Sequence, residues 1–173
     1  MPFAITLGLD ATAATSVEAM WQTLASRRIS DDAIRLKYAP HVTLAVFTDS
    51  ADKGHLLAAA RDHAERWPQL PIMLSSLGVF PPATLFLAPV VTRELLERQA
   101  TLLSCLDDET VDPHYQIGHF VPHVTLAKDL KDAAEAIAAL GPLRLPINAM
   151  LDRIDVVRFR PVELLASHKL AEV

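Results

Sequence analysis

The hexapeptide PHVTLA stands at residues 40–45 and again at 122–127. A β-strand turns successive side chains to opposite faces, so each copy has an aliphatic side and a polar side. Val42 and Leu44 face one way and His41 and Thr43 the other; Val124 and Leu126 oppose His123 and Thr125 in the same manner. Any fold for this chain must bury an aliphatic pair twice. It must also present an imidazole beside a hydroxyl twice.

The repetition extends beyond the hexapeptides. FAITLGL (3–9) predicts a buried strand. Thr15-Ser16-Val17-Glu18 forms a capping-box pattern that opens a helix, with Val17, Met20, Trp21, Leu24 and Ala25 on one stripe. The first motif strand runs from His41 to about Phe47. A helix with Leu56, Leu57, Ala60 and Ala64 on one side follows, ending near Trp67-Pro68, and extended chain spans 70–80. The second half replays this order. TLFLAPV (84–90) matches the first strand, and a helix follows with Leu95, Leu96, Leu102, Leu103 and Leu106. The second motif strand starts at His123, and a short helix through Ala133, Ile137 and Leu140 stops at Gly141-Pro142. Further extended segments pass through RIDVVRF to a last strand near 164–170. Phe3 and Leu85 each precede their motif histidine by 38 residues, and each half has an LPI after its second helix. Two copies are too few for a solenoid, so the expectation is a duplicated unit packed on its twin. The repeats are approximately 1–82 and 83–173, with Pro81-Pro82 as the seam.

A chain of 173 residues fits one domain with a sizeable core. Every apolar run is broken by a charge or a proline within a dozen residues, so no membrane partner is expected. The opening MPFAITLGLDATAAT lacks a basic leader and reads as a strand rather than a signal peptide. Cys105 is the sole cysteine, which rules out an intramolecular disulfide and makes a cytoplasmic location the default. The formal net charge is −5 and no Lys/Arg cluster appears, so long duplex nucleic acid is not an expected partner. A small phosphorylated ligand needs only a few donors in a cleft and is compatible with that balance.

Paired His/Thr strands have a chemical use. Histidine, with an unperturbed pKa of about 6.5, exchanges protons near neutrality. A neutral imidazole can take a proton from water while an imidazolium gives one to a leaving oxygen. Threonine hydroxyls can bind non-bridging phosphate oxygens. In-line displacement at phosphorus needs an acid and a base on opposite sides of one centre. A single HxT on a strand is weak evidence, since one such histidine is usually a satisfied core or edge residue. Duplication by descent explains the repetition, but not why a polar pair interrupts an aliphatic strand.

Other residues carry less. Phe80 and Tyr115 are aromatic candidates for contact with a base, although core packing or a loop anchor is the simpler reading for each. His114 and His119 read as solvated loop residues, because neither the spacing nor nearby carboxylates complete a metal ligand set. Cys105, among leucines, reads as a small core residue. Asp107-Asp108-Glu109 reads as a solvated helix end. No phosphate-cradling glycine loop occurs, so ATP-dependent chemistry lacks support.

Two HxT strands, each preceded by a strand and a helix, resemble the two-histidine phosphoesterase superfamily. The likeness is nearest to its bacterial branch of 2′-5′ RNA ligase and RNA 2′,3′-cyclic phosphodiesterase-like proteins. It spans FAITLGLD, PHVTLAVF, LGVFPPATLFLAPV and FVPHVTLAKDL. The resemblance implies a bilobal α+β fold, with two curved antiparallel sheets flanked by helices around a central cleft. It implies that His41 and His123 are the catalytic acid/base pair and that Thr43 and Thr125 bind phosphate. The implied activity is hydrolysis of a cyclic phosphate or a 2′-5′ linkage without metal or cofactor. A cyclic nucleotide or RNA end would be the substrate, and the protein a monomer. Many members of the branch carry an arginine after the phenylalanine-containing turn; here no basic residue occurs from Val79 to Pro89. Charge for the cleft would come from Lys37, Lys128, Arg158 or Arg160. The rival reading is a module that binds a phosphorylated nucleotide or RNA end without cleaving it.

Overall fold

A computed structural model describes residues 2–159 and 161–172, so Arg160 lies outside the described residues. Chain order is β1 (Phe3–Leu9), α1 (Ala11–Ser26), α2 (Asp32–Leu36), β2 (His41–Phe47), α3 (Lys53–Ala64) and β3 (Leu70–Phe80). It continues as β4 (Thr84–Pro89), α4 (Arg93–Ser104), a 3-10 turn (Pro113–Tyr115), β5 (Val124–Ala127), α5 (Ala133–Leu140), β6 (Ile147–Arg158) and β7 (Glu163–Lys169). The architecture is mixed α and antiparallel β, as expected.

The strands form one continuous sheet rather than two, in the order β2-β1-β6-β3-β4-β5, with β7 also on β6. The reason is the length of β6. Residues 147–151 pair with β3, while residues 151–158 lie against β1 and residues 153–158 against β7. Pro81 and Pro82 occupy the turn of the β3–β4 hairpin, so the expected seam between halves is a place where they are joined by a ladder. The edge strands β2 and β5, which carry the two hexapeptides, are not hydrogen-bonded to each other, yet their Cα atoms approach within 8 Å.

The two motif ladders match in detail. β1–β2 pairs Leu7 with Val42 and Thr6 with Thr43, with a register shift between Ile5 and Thr6. β4–β5 pairs Leu87 with Val124 and Phe86 with Thr125, with a shift between Leu85 and Phe86. Ile5 therefore corresponds to Leu85, two residues from the equivalence that equal spacing suggests. A shift of two leaves every side chain on its own face.

The apolar face of the sheet is covered by helices. Helix α1 starts at Ala11, four residues before the capping-box pattern. Asp10 is its N-cap, accepting from the amides of Thr12 and Ala13, while the Thr15 and Ser16 hydroxyls bond back to the carbonyls of Ala11 and Thr12. Val17, Trp21 and Leu24 are its buried stripe, as expected, with Met20 partly buried. Val42, Leu44, Val124 and Leu126 all enter the core. Gly141 ends α5 with φ 65°, a left-handed position that glycine adopts without the Cβ penalty.

Two minor expectations fail. Cys105 is exposed, because α4 ends at Ser104 and its C-cap turns outward, leaving Leu102 and Leu106 to fill the core. Glu109 is not solvated: its carboxylate accepts from the Asp52 amide at the start of α3, and its side chain is 9% exposed. Among the described residues, no helix is long and apolar enough to cross a membrane.

Candidate active site

Both motif histidines are held in the same way. His41 Nδ1 lies 2.8 Å from the Ala39 carbonyl and His123 Nδ1 2.8 Å from the Val121 carbonyl, two residues upstream in each case. A carbonyl only accepts, so Nδ1 carries the hydrogen and Nε2 is the nitrogen left for proton exchange. The proline between histidine and carbonyl, Pro40 or Pro122, is buried in both copies. Val124 is the first residue of β5, so His123 sits just ahead of the strand, whereas His41 is the first residue of β2.

The rings are half-buried, and His123 acts on His41. The His41 pKa is pushed down to about 4, mainly by burial; His123 and Lys128 push the same way, and the Ala39 carbonyl and Asp155 oppose them. The His123 pKa is also lowered, again mainly by burial, with Lys128 contributing and the Val121 carbonyl opposing. One lysine thus acts on both imidazoles, so the two histidines and Lys128 belong to one electrostatic neighbourhood. Both imidazoles rest neutral near pH 7, with Nε2 free to accept a proton.

Each ring has its own backing. His123 rests against two aromatic rings: Phe80 edge-on at 4.9 Å and Phe86 tilted at 5.3 Å, the pair being stacked on each other at 4.2 Å. Phe86 occupies the space over Gly78, where a Cβ would stand 2.3 Å from the ring. His41 lies 4.6 Å from the ring of Tyr38, a residue that pattern reading passed over. Thr43 shares a hydrogen bond with the Tyr115 hydroxyl, whose pKa is pushed up to about 12 mainly by burial. The carbonyl of Thr125 accepts from Trp21 Nε1 at 3.1 Å, which ties β5 to α1. Phe80 and Tyr115 are therefore engaged with motif side chains, His123 and Thr43.

The cations divide. Lys128, exposed just after β5, acts electrostatically on both histidines. Arg158 does not reach the site. It pairs across the sheet with Phe3, five residues along β1 from the Gly8 that faces His41, and its guanidinium binds Glu163. At about 3.4 Å per residue that separation is roughly 17 Å. Lys37 is the exposed, left-handed C-cap of α2 and has no placed role at the histidines. The cation that pattern reading missed is Arg153, paired with Gly8 in the row that contains His41. Its guanidinium covers the glycine, since a Cβ on Gly8 would lie 2.3 Å from Arg153 Cζ.

A family model described as the 2′-5′ RNA ligase superfamily matches residues 10–163. The chain belongs to that superfamily. Among solved structures, TT0787 of Thermus thermophilus superposes with a TM-score of 0.70 at 14% identity, covering 99% of each chain. Escherichia coli LigT in its apo form gives 0.62 at 17% identity, over 98% of this chain and 97% of that one. E. coli LigT complexed with 3′-AMP gives 0.62 at 18%, over 98% and 99%. At these identities the likeness is one of fold. No curated protein sequence matches the chain.

Proposed function

We propose that this member of the 2′-5′ RNA ligase superfamily is a phosphoesterase that opens a cyclic phosphate, with a nucleoside or RNA-terminal 2′,3′-cyclic phosphate as the substrate class and 2′-5′ linkages as a related one. The observation that carries the reading is the matched pair of imidazoles. Each is locked by an Nδ1 hydrogen bond to the carbonyl two residues back, which leaves Nε2 for proton exchange, and both are within electrostatic reach of Lys128. Supporting it, E. coli LigT, similar in fold, has been crystallised with 3′-AMP and with phosphate.

Water attacks phosphorus in line and gives its proton to Nε2 of one histidine. The bond from phosphorus to one ribose oxygen breaks, and that oxygen takes the proton from Nε2 of the other, protonated histidine. Thr43 and Thr125 donate to non-bridging oxygens, and Lys128 balances the phosphate charge. A bound anion also raises both imidazole pKa values, which brings one of them into its protonated form in the complex.

The test is incubation with a nucleoside 2′,3′-cyclic phosphate followed by phosphorus NMR. Ring opening is expected, with at least a hundredfold loss of turnover in His41→Ala and in His123→Ala, both still folded. Saturable binding without ring opening would establish the rival reading of a binding module. Near-normal turnover in either variant would overturn the mechanism.

A further inference from the structure

His41 and His123 share a hexapeptide but not a setting. His123 is backed by two phenylalanines. Behind His41 the sheet is polar. In antiparallel pairing, residues directly opposite each other share a face, so the registers of β2, β1 and β6 define two adjacent rows on the His41 side. One row is His41–Gly8–Arg153, and the next is Thr43–Thr6–Asp155. Thr6 and Asp155 are almost fully buried, at 1% and 2% exposure.

Tyr38 links this second row to the imidazole. Its hydroxyl donates to Asp155 Oδ2 at 2.9 Å and accepts from Thr6 Oγ1 at 2.7 Å. Its ring lies against His41. The phenol is held strongly protonated, first by burial and then by the Asp155 charge, so it is a fixed donor to the carboxylate. Arg153 only half-compensates that carboxylate. Its Nε stands 3.5 Å from Asp155 Oδ2, while its Nη1 is committed to the Leu9 carbonyl and to Asp152. Asp155 Oδ1 is buried with no hydrogen-bond partner among the described residues. Burying an under-paired carboxylate is costly, and a well-packed apolar residue would serve the fold as well or better.

We infer that Asp155, acting through Tyr38, is the positioning and charge-balancing residue for His41: the Thr6–Tyr38–Asp155 chain fixes the ring against which the imidazole rests and supplies the negative charge that an imidazolium at this position requires. The proposal rests on the two-histidine reading, in which His41 carries a proton at one stage whichever role it takes. Among the described residues no comparable carboxylate acts on His123, so the two histidines differ in what steadies them. Other charged or titratable groups also face His41: Arg153 beside Asp155 on β6, and His123 and Lys128 from either end of β5. Tyr115 bears on the neighbouring Thr43. The cationic members oppose a proton on His41. Beside the Ala39 carbonyl, Asp155 is the charged group that favours it.

The experiment uses histidine ring nitrogen NMR on the full chain, which needs no substrate, together with turnover of a nucleoside 2′,3′-cyclic phosphate. Asp155→Asn keeps the shape and removes the charge. Tyr38→Phe keeps the ring and removes the link. In Asp155→Asn the His41 titration midpoint falls by roughly half a unit to one unit while that of His123 holds, as expected for a carboxylate acting across one ring. Tyr38→Phe moves the same midpoint by less, in the same direction. In both, kcat falls more than KM rises, by about tenfold for the asparagine variant. An unmoved His41 midpoint in a folded Tyr38→Phe or Asp155→Asn protein overturns the inference, as does an equal shift at His123. Absence of turnover on every cyclic phosphate, with the His41 shift present, would instead refute the assigned reaction and leave the positioning role standing.

Discussion

Replacing His41 by asparagine should make the protein less sensitive to acid, not more. In the folded chain the imidazole titrates at about 4, chiefly because it is buried, whereas an unfolded histidine titrates at about 6.5. Between those values the unfolded chain binds a proton that the folded chain does not, so stability falls as pH falls. The contribution is fully present above about pH 6.5 and is lost progressively through that window. A difference of this size corresponds to a loss of roughly 2 kcal/mol near pH 5, approaching about 3 kcal/mol below pH 4. Asparagine cannot titrate. Urea unfolding of both proteins at about pH 7.5 and about pH 5 isolates the effect, because every other titrating group is shared and cancels in the difference of differences. The wild type should lose about 2 kcal/mol more than His41→Asn on acidification. Equal losses would mean that His41 is solvated in the native state, and the picture of a neutral, desolvated imidazole with Nε2 poised for a proton would fail.

The same electrostatics predict proton uptake when inorganic phosphate binds near pH 6, seen as a calorimetric heat that changes with the ionisation enthalpy of the buffer; His41→Asn should reduce that uptake. Gly78→Ala places a methyl group where the Phe86 ring lies, so it should displace the aromatic backing of His123 and lower turnover, with a stability loss of about 1–3 kcal/mol in urea unfolding. Leu24→Ala, in the fully buried stripe of α1, should cost about 2–5 kcal/mol of stability without altering the pH dependence of turnover in the protein that remains folded.

How far such behaviour is legible from sequence depends on where each partner comes from along the chain. The hexapeptides reveal their own two faces because alternation is local to a strand, and all four aliphatic residues are buried as that alternation requires. The strand and helix order is legible for the same reason. Equal spacing misplaces the equivalence of β1 and β4 by two residues, since strand register is decided by pairing partners and bulges that no spacing encodes. The start of α1 is misread because Asp10, an equally good cap, competes with the Thr15-to-Glu18 pattern and also accepts from the Met150 amide on β6, a partner 140 residues away. Arg158 is a candidate cation only as a basic residue near the end of the chain; the ladder places it at the far end of β1. Thr6, Tyr38 and Asp155 come from three separate segments, and only the sheet brings them together. One local sign is available. In RIDVV, Arg153 and Asp155 alternate with Ile154 and Val156, the same polar and apolar alternation that marks the hexapeptides.

The unlike surroundings of like motifs bear on how a symmetric pair would run the asymmetric reaction proposed for it. In-line displacement needs one protonated and one neutral imidazole at the same moment, and two imidazoles in identical environments would share a proton equally between productive and unproductive arrangements. Here the anchoring is the same in both copies, with Nδ1 bound to the carbonyl of the residue just ahead of the hexapeptide. The difference is supplied by the neighbouring strands. At the position where β1 places Thr6 opposite Thr43, β4 places Phe86 opposite Thr125. With Tyr38 and Asp155 on one side and Phe80 on the other, that exchange leaves His41 with a hydroxyl-linked carboxylate behind its ring and His123 with an aromatic wall. Proton affinity can then be set separately at the two sites by residues outside the motif, while in the proposed reaction both Nε2 atoms serve the same phosphorus. Exchanging the backing, with Thr6→Phe on one side or Phe86→Thr on the other, should shift the titration of the adjacent histidine alone. Ring titrations that move together would show the two sites to be coupled too tightly for this division to hold.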